Sequence, residues 1–475
     1  MRDICFRRAY PRSRAELSRV KKAASAAAFA RTTYPFSYGV VRRLPPGSVD
    51  LDWDELKDDE PLTDLLMMAV TPGESQGLED IGITLPGWIE SAKPEGMTDL
   101  GFILDILAKS PLSAQQQAYV YDALSLHVCY EGPALSGIVL PAGRVHYQKA
   151  PLRKEHFPLA PVIKRPIRAA RVPGRRIVEV SLQALCARDL ELYPLSYANE
   201  DDATLVSCGR GVKIALVGVL PGYRSPLEAL YFFLVLKNGV PVGYGPAGVF
   251  CGCCEMGINL FPEFRGGEIR YIYAQFMRVL RHVLGVEYYF LTWYGMGELN
   301  EEALRSGAFW FYRKLGFRAS NPEVEALAKA EEEKMRARPG YKSDLRTLRR
   351  LSHTWAYFDL SEGRCRPFPF GALGVAQTRF VAKRFRGDRA KAERQCDARI
   401  RRLFGVSYLP LAVTLCMIPD LGRWSEADKS MLARILRAKQ GRSEIRAALL
   451  MKKHTRLRRA LEGLLPAGDG SLMPG

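Results

Sequence analysis

Apolar residues recur three and four positions apart between residues 50 and 135, in "WDELKDDEPLTDLLMMAV" and "MTDLGFILDILAKSPLSAQQQAYVYDALSLHV". That period predicts helices, with Ser and Asp at the expected starts. From about 176 the texture changes. "RRIVEVSLQ" and "EALYFFLVLKNGVPVGYG" are rich in β-branched and aromatic residues and predict strands. The second stretch turns at Asn238-Gly239, a strong hairpin signal. In "PEFRGGEIRYIYAQFMRVLRHVLG", residues Ile269, Ile272, Tyr273, Phe276, Met277, Leu280, Val283 and Leu284 form one apolar face about four turns long. Gly285 is placed to stop that helix. "CEMGINLF" before it and "VEYYFLTW" after it predict strands. "SGAFWFYRKLGF" predicts a second helix, with Ser306 as its cap and Gly316 as its end. Beyond 326 the pattern is helical and charged, apart from "HTWAYFDL", which predicts a last strand. Near the C-terminus Leu432, Ile435 and Leu436 repeat at helix spacing, and Lys452, Lys453, Arg456, Arg458 and Arg459 crowd the end.

These textures divide 475 residues into five regions. They are a basic arm (1–49), an acidic helical region (50–148), a Pro-rich basic linker (149–175), a central α/β domain (176–325) and a basic helical module (326–475). The expected fold class is thus an α/β centre, a mixed sheet flanked by helices, between mainly α-helical N- and C-terminal regions.

Charge sharpens this division. The net charge is +18, yet residues 50–135 set seventeen acidic groups against three lysines. Residues 371–475 carry twenty-two basic and nine acidic residues. Two consequences stay open: the acidic region packs against basic segments of the same chain, or the basic module takes an anionic partner such as nucleic acid. On the second, deleting 371–475 would remove salt-sensitive binding and leave the centre folded. The longest uncharged stretches, Asn238–Cys254 and Leu403–Pro419, are broken by prolines and fall short of a membrane span. The start has no apolar h-region, and ten scattered cysteines suit reduced thiols. Together these predict a cytoplasmic protein with no membrane contact.

The chemistry concentrates between Cys254 and Phe317. A strand, a Gly-containing turn and a helix start aim backbone N–H groups at one spot, which suits phosphate. Cys251, Cys253 and Cys254 lack a second ligand pair, so tight strand packing is expected there rather than metal binding.

"LFPEFRGGEI" and, about forty residues on, "AFWFYRKLGF" resemble the two motifs of the GNAT (GCN5-related N-acetyltransferase) acyltransferases, V-x-P-E-Y-R-G-x-G-x-G and A-x-x-x-Y-x-x-x-G-F. The resemblance covers residues 176–325. It implies that Arg265, Gly266 and Gly267 hold the pyrophosphate of acyl-coenzyme A, and that Tyr312 protonates the leaving thiolate. A phenol is a reasonable acid for that step. Glu268 and Arg270 stand where the family has small residues. Either Glu268 stabilises an empty helix end, or it points away and Arg270 supplies compensating charge. The family often has Asn seven residues before the tyrosine; Arg305 stands there, with Asn300 the nearest asparagine. Glu255 is the candidate general base. The expected reaction moves an acyl group from coenzyme A, or from the phosphopantetheine of an acidic carrier protein, to an amine or hydroxyl. The alternative is a non-catalytic scaffold that binds nucleic acid or an acidic protein through the C-terminal module.

Overall fold

The computed structural model describes residues 2–25, 29–56, 59–79, 82–141, 143–149, 157–265 and 268–465. The chain folds into two compact units. The first comprises Met1–Ala150, Pro173–Ala198 and Leu236–Val242; the second Pro151–Val172, Asn199–Val235 and Gly243–Gly475.

In the first unit Val128–Gly132 is the centre of a three-stranded antiparallel sheet, with Ala30–Tyr34 and Val49–Leu51 on its two sides. Helices occupy most of the described residues from 60 to 124 as the apolar period predicts, but the strands Val49–Leu51 and Val128–Gly132 lie at the two ends of the stretch read as helical. Thr98 caps Asp99–Lys109, which buries Leu100, Ile103 and Leu107. Ser113 and Gln116 form a reciprocal capping box on Ala114–Leu124. "RRIVEVSLQ" is a helix, Arg175–Cys186, and not the strand expected. Its buried Val178, Ser181, Leu182 and Leu185 lie at i, i+3, i+4 and i+7, a helical face that a short β-branched run disguises.

The second unit holds most of a ten-stranded mixed sheet. Ala229–Lys237 and Val240–Phe250 form the expected hairpin, with Asn238 and Gly239 both at positive φ, 49° and 84°. Cys253–Met256 follows, and then one continuous helix, Ile269–Leu284, here called the motif helix. Its apolar face is buried, and Gly285 ends it at φ 73°. Tyr288–Leu291 returns beside Cys253–Met256 in parallel. Ala356–Asp359, the predicted last strand, pairs antiparallel with Tyr288–Leu291. Within the stretch read as linker, Leu159–Lys164 is helical and Ala169–Arg171 pairs with the sheet. Ser306 does not cap the second motif helix. It ends a separate short helix, Glu301–Ser306, and Gly307 at φ 72° starts Ala308–Leu315, because a chain reversal there needs a left-handed residue.

The C-terminal helices, Phe370–Phe385 through Thr455–Glu462, bury Ile400, Leu411, Leu432, Ile435, Leu436 and Leu457 in one cluster with Leu227 and Phe250 of the sheet region. A buried ionic network reinforces that core. Lys439 donates to the carbonyls of Ser225 (2.7 Å) and Glu228 (3.0 Å) and to the Glu444 carboxylate. Arg224 donates to the carbonyls of Val219, Lys439, Gly441 and Arg442 and lies 3.8 Å from Glu444. Asp202 accepts from the Tyr231 hydroxyl (2.9 Å) and the Glu444 amide (3.3 Å). Buried charges need such partners. Deleting 371–475 therefore strips partners from the buried Arg224 and Asp202, so the centre, contrary to what charge alone suggests, does not stay stably folded without those residues.

Candidate functional site

Parallel pairing between Cys253–Met256 and Tyr288–Leu291 runs from Cys253↔Tyr288 to Glu255↔Phe290. Past that point each strand stays bound on its outer side only: Met256 pairs with Ala247, and Leu291 with Ala356. The ladder between these two strands ends at Glu255 and Phe290, and backbone groups beyond a ladder's end seek other hydrogen-bond partners.

The turn before the motif helix is only partly visible, because Gly266 and Gly267 lie outside the described residues. Glu268 occupies the position before the helix without capping it. Its carboxylate lies 3.5 Å from the Arg210 guanidinium, which in turn covers the Tyr271 ring at 4.5 Å. Glu268 thus pairs with Arg210 and does not cap the helix end. Arg270 donates to the Phe157 carbonyl (3.1 Å) and lies over the Phe157 ring. Arg265 is exposed and pairs with Glu302 at 2.5 Å. Asn300 caps the Glu301–Ser306 helix, its Oδ1 accepting from the Ala303 amide at 3.0 Å, so its side chain is already engaged.

Tyr312 is buried, its ring edge-on to Tyr273 (5.6 Å), Phe311 (5.1 Å) and Phe317 (5.7 Å). Burial pushes its pKa up to about 12, with the Tyr273 hydroxyl opposing the rise. The phenol is therefore protonated at neutral pH. The Cys254 thiol, kept neutral by burial, lies near Tyr273 of the motif helix, so the tyrosine pair sits on the helix side of the strand. Successive strand residues point to opposite faces, which puts Glu255 on the other.

Glu255 is exposed, and its pKa is raised by the surrounding protein while a hydrogen bond with Thr292 opposes that rise. Beside it stands a residue the sequence did not single out, Glu228. A Cβ on Gly248, the partner of Glu255 across the ladder, would meet the Glu228 Oε1 at 2.9 Å. Burial pushes the half-buried Glu228 carboxyl up to about 7, the Glu255 charge adds to this, and Lys439 opposes it. A carboxyl titrating near neutrality is suited to general-base work. The available signal was Gly248, since a glycine inside a strand often marks a close approach.

Cys251, Cys253 and Cys254 are buried, and the Cys253 thiol donates to the Arg366 carbonyl at 2.9 Å. Among the described residues no cluster of three His, Cys, Asp or Glu side chains is placed to hold a metal ion. No described helix is long and apolar enough to cross a membrane. Comparison with protein-family models, curated proteins and solved structures finds no match.

Proposed function

We propose that the region around 254–317 is a GNAT-like acyltransferase core. It would move an acyl group from coenzyme A, or from a carrier protein's phosphopantetheine, to an amine or hydroxyl. The observation that carries this reading is the strand pair that stops hydrogen bonding at Glu255 and Phe290, with a protonated phenol on one face and a carboxylate pair on the other. The amide-bearing arm of the donor pairs with the open backbone groups. Its phosphates lie at the Arg265 turn, where the guanidinium exchanges Glu302 for phosphate. Glu228 takes a proton from the attacking amine or hydroxyl, directly or through water, as its lone pair adds to the thioester carbonyl. The C–S bond breaks, Tyr312 donates to the departing thiolate, and solvent takes the proton from Glu228 and returns one to Tyr312.

The magnitudes assign the larger share to the base. A phenol of pKa about 12 is a weaker acid than a thiol of about 8.5, so Tyr312 transfers its proton late. Tyr312→Phe is expected to lower turnover only about tenfold, below the usual acid–base contribution of about 10²–10⁴. Measuring acceptor-dependent thiol release from acetyl-coenzyme A, with a panel of amines and alcohols, tests both reading and variant. Release that no acceptor stimulates, with or without Tyr312, contradicts the reading.

The scaffold alternative has fewer free charges than the sequence suggests. Lys439 is buried, Lys452 pairs with Glu287 at 2.9 Å, Arg456 with Asp420, and Arg458 with Glu462 at 2.8 Å.

A further inference from the structure

On the side of the motif helix, away from Tyr312, lies a cavity of about 500 Å³, within the range of small-molecule sites. Three arginines line it: Arg165 just after the Leu159–Lys164 helix, Arg210 in the turn after the Ala198–Gly209 strand, and Arg278 on the helix itself. Phe157 and Val162 supply an apolar wall, and Tyr271 lies one face-repeat before Arg278.

The walls are held in place by their own hydrogen bonds. Arg278 donates to the carbonyls of Arg165 (2.7 Å) and Pro166 and to the Gln275 side chain (3.0 Å). Tyr271 donates to the Cys208 carbonyl at 2.6 Å. The described lining residues include no carboxylate; Glu268 reaches Arg210 from the edge. Tyr271 and Cys208, each pushed up to about 12, are neutral at physiological pH. Among the described residues Glu268 pairs with Arg210, while no lining carboxylate stands against the positive charges of Arg165 and Arg278, which are close enough to repel one another.

We propose that this cavity binds a small dianionic phosphomonoester, independently of the acyl-transfer site. A phosphomonoester carries about −1.5 to −2 charge at pH 7 and so matches the uncompensated charge. Its oxygens accept from planar guanidinium forks. Phosphate alone fills only a fraction of 500 Å³, so the organic group of the ester covers Phe157 and Val162.

Phenyl phosphate is the probe, titrated into the full-length protein by calorimetry at fixed ionic strength, with phenol and inorganic phosphate as controls. Saturable binding of phenyl phosphate is expected, inorganic phosphate binding more weakly and phenol not at all. Arg165→Gln, at an exposed side chain, is expected to weaken binding at least tenfold. Arg210→Gln is a second variant, should the first fail to fold by circular dichroism. The proposal is overturned if phenyl phosphate does not bind, if phenol or inorganic phosphate binds as tightly, or if both folded variants bind like the wild type.

Discussion

Lys439→Met is expected to destabilise the protein by about 3–5 kcal/mol, the penalty for breaking a buried ion pair from one side. The Lys439 and Glu444 side chains are 1% and 0% exposed. Losing the ammonium removes the donor to Glu444 and to two carbonyls, Ser225 and Glu228. Arg224 stays 3.8 Å from the Glu444 carboxylate, too far for a hydrogen bond, and its own donors are committed to carbonyls. Total stability is typically about 5–15 kcal/mol, so a loss of this size takes much of it. Urea unfolding at pH 7 checks the figure. Lys439→Met combined with Glu444→Met is expected to recover part of the loss, because the stranded carboxylate goes with its partner while Arg224 keeps only its carbonyl partners. A single-variant loss below about 1 kcal/mol would show that the network does not carry this weight.

Glu228→Gln is expected to lower turnover about 10²–10³-fold, the usual contribution of a positioned general base, and to leave acetyl-coenzyme A affinity unchanged. Wild-type turnover should rise with pH through about 7 as the carboxyl loses its proton. Stability moves the other way. The folded value lies above the ordinary 4.5, so folding favours the protonated form. That contribution is complete below about 4.5 and is lost as pH rises through about 7. At pH 8 the neutral glutamine is therefore expected to stabilise the fold by about 1–2 kcal/mol, after discounting for the solvent-open side of the site. A variant that is at once more stable and far less active would be hard to explain by damage to the fold. Full activity in Glu228→Gln would remove this residue from the chemistry.

The motif helix was legible because eight apolar positions repeat on one face, and the hairpin because Asn238-Gly239 admits few other geometries. Arg175–Cys186 was not, since Ile177, Val178 and Val180 favour strand locally while their burial is helical. The ionic network was illegible for a different reason. Lys439 and Glu444 read as surface charges, and their partners Arg224 and Asp202 lie more than two hundred residues away. Only the glycines hinted at it: a Cβ on Gly218 would lie 2.2 Å from the Asp202 carboxylate, as one on Gly248 would crowd Glu228. The turn motif was visible as sequence, but the partners that draw Glu268 to Arg210, Arg270 to Phe157 and Asn300 to its helix cap arise only on folding.

Calorimetric titration of the full-length protein with acetyl-coenzyme A tests the acyl-transfer account most directly. The account predicts saturable one-site binding in the micromolar to millimolar range usual for enzyme substrates. It also predicts that Arg265→Ala weakens that binding about five- to tenfold by removing a charge-assisted phosphate contact. No binding of acetyl-coenzyme A or of a carrier-linked acyl phosphopantetheine, or equal affinity in the wild type and Arg265→Ala, would contradict it.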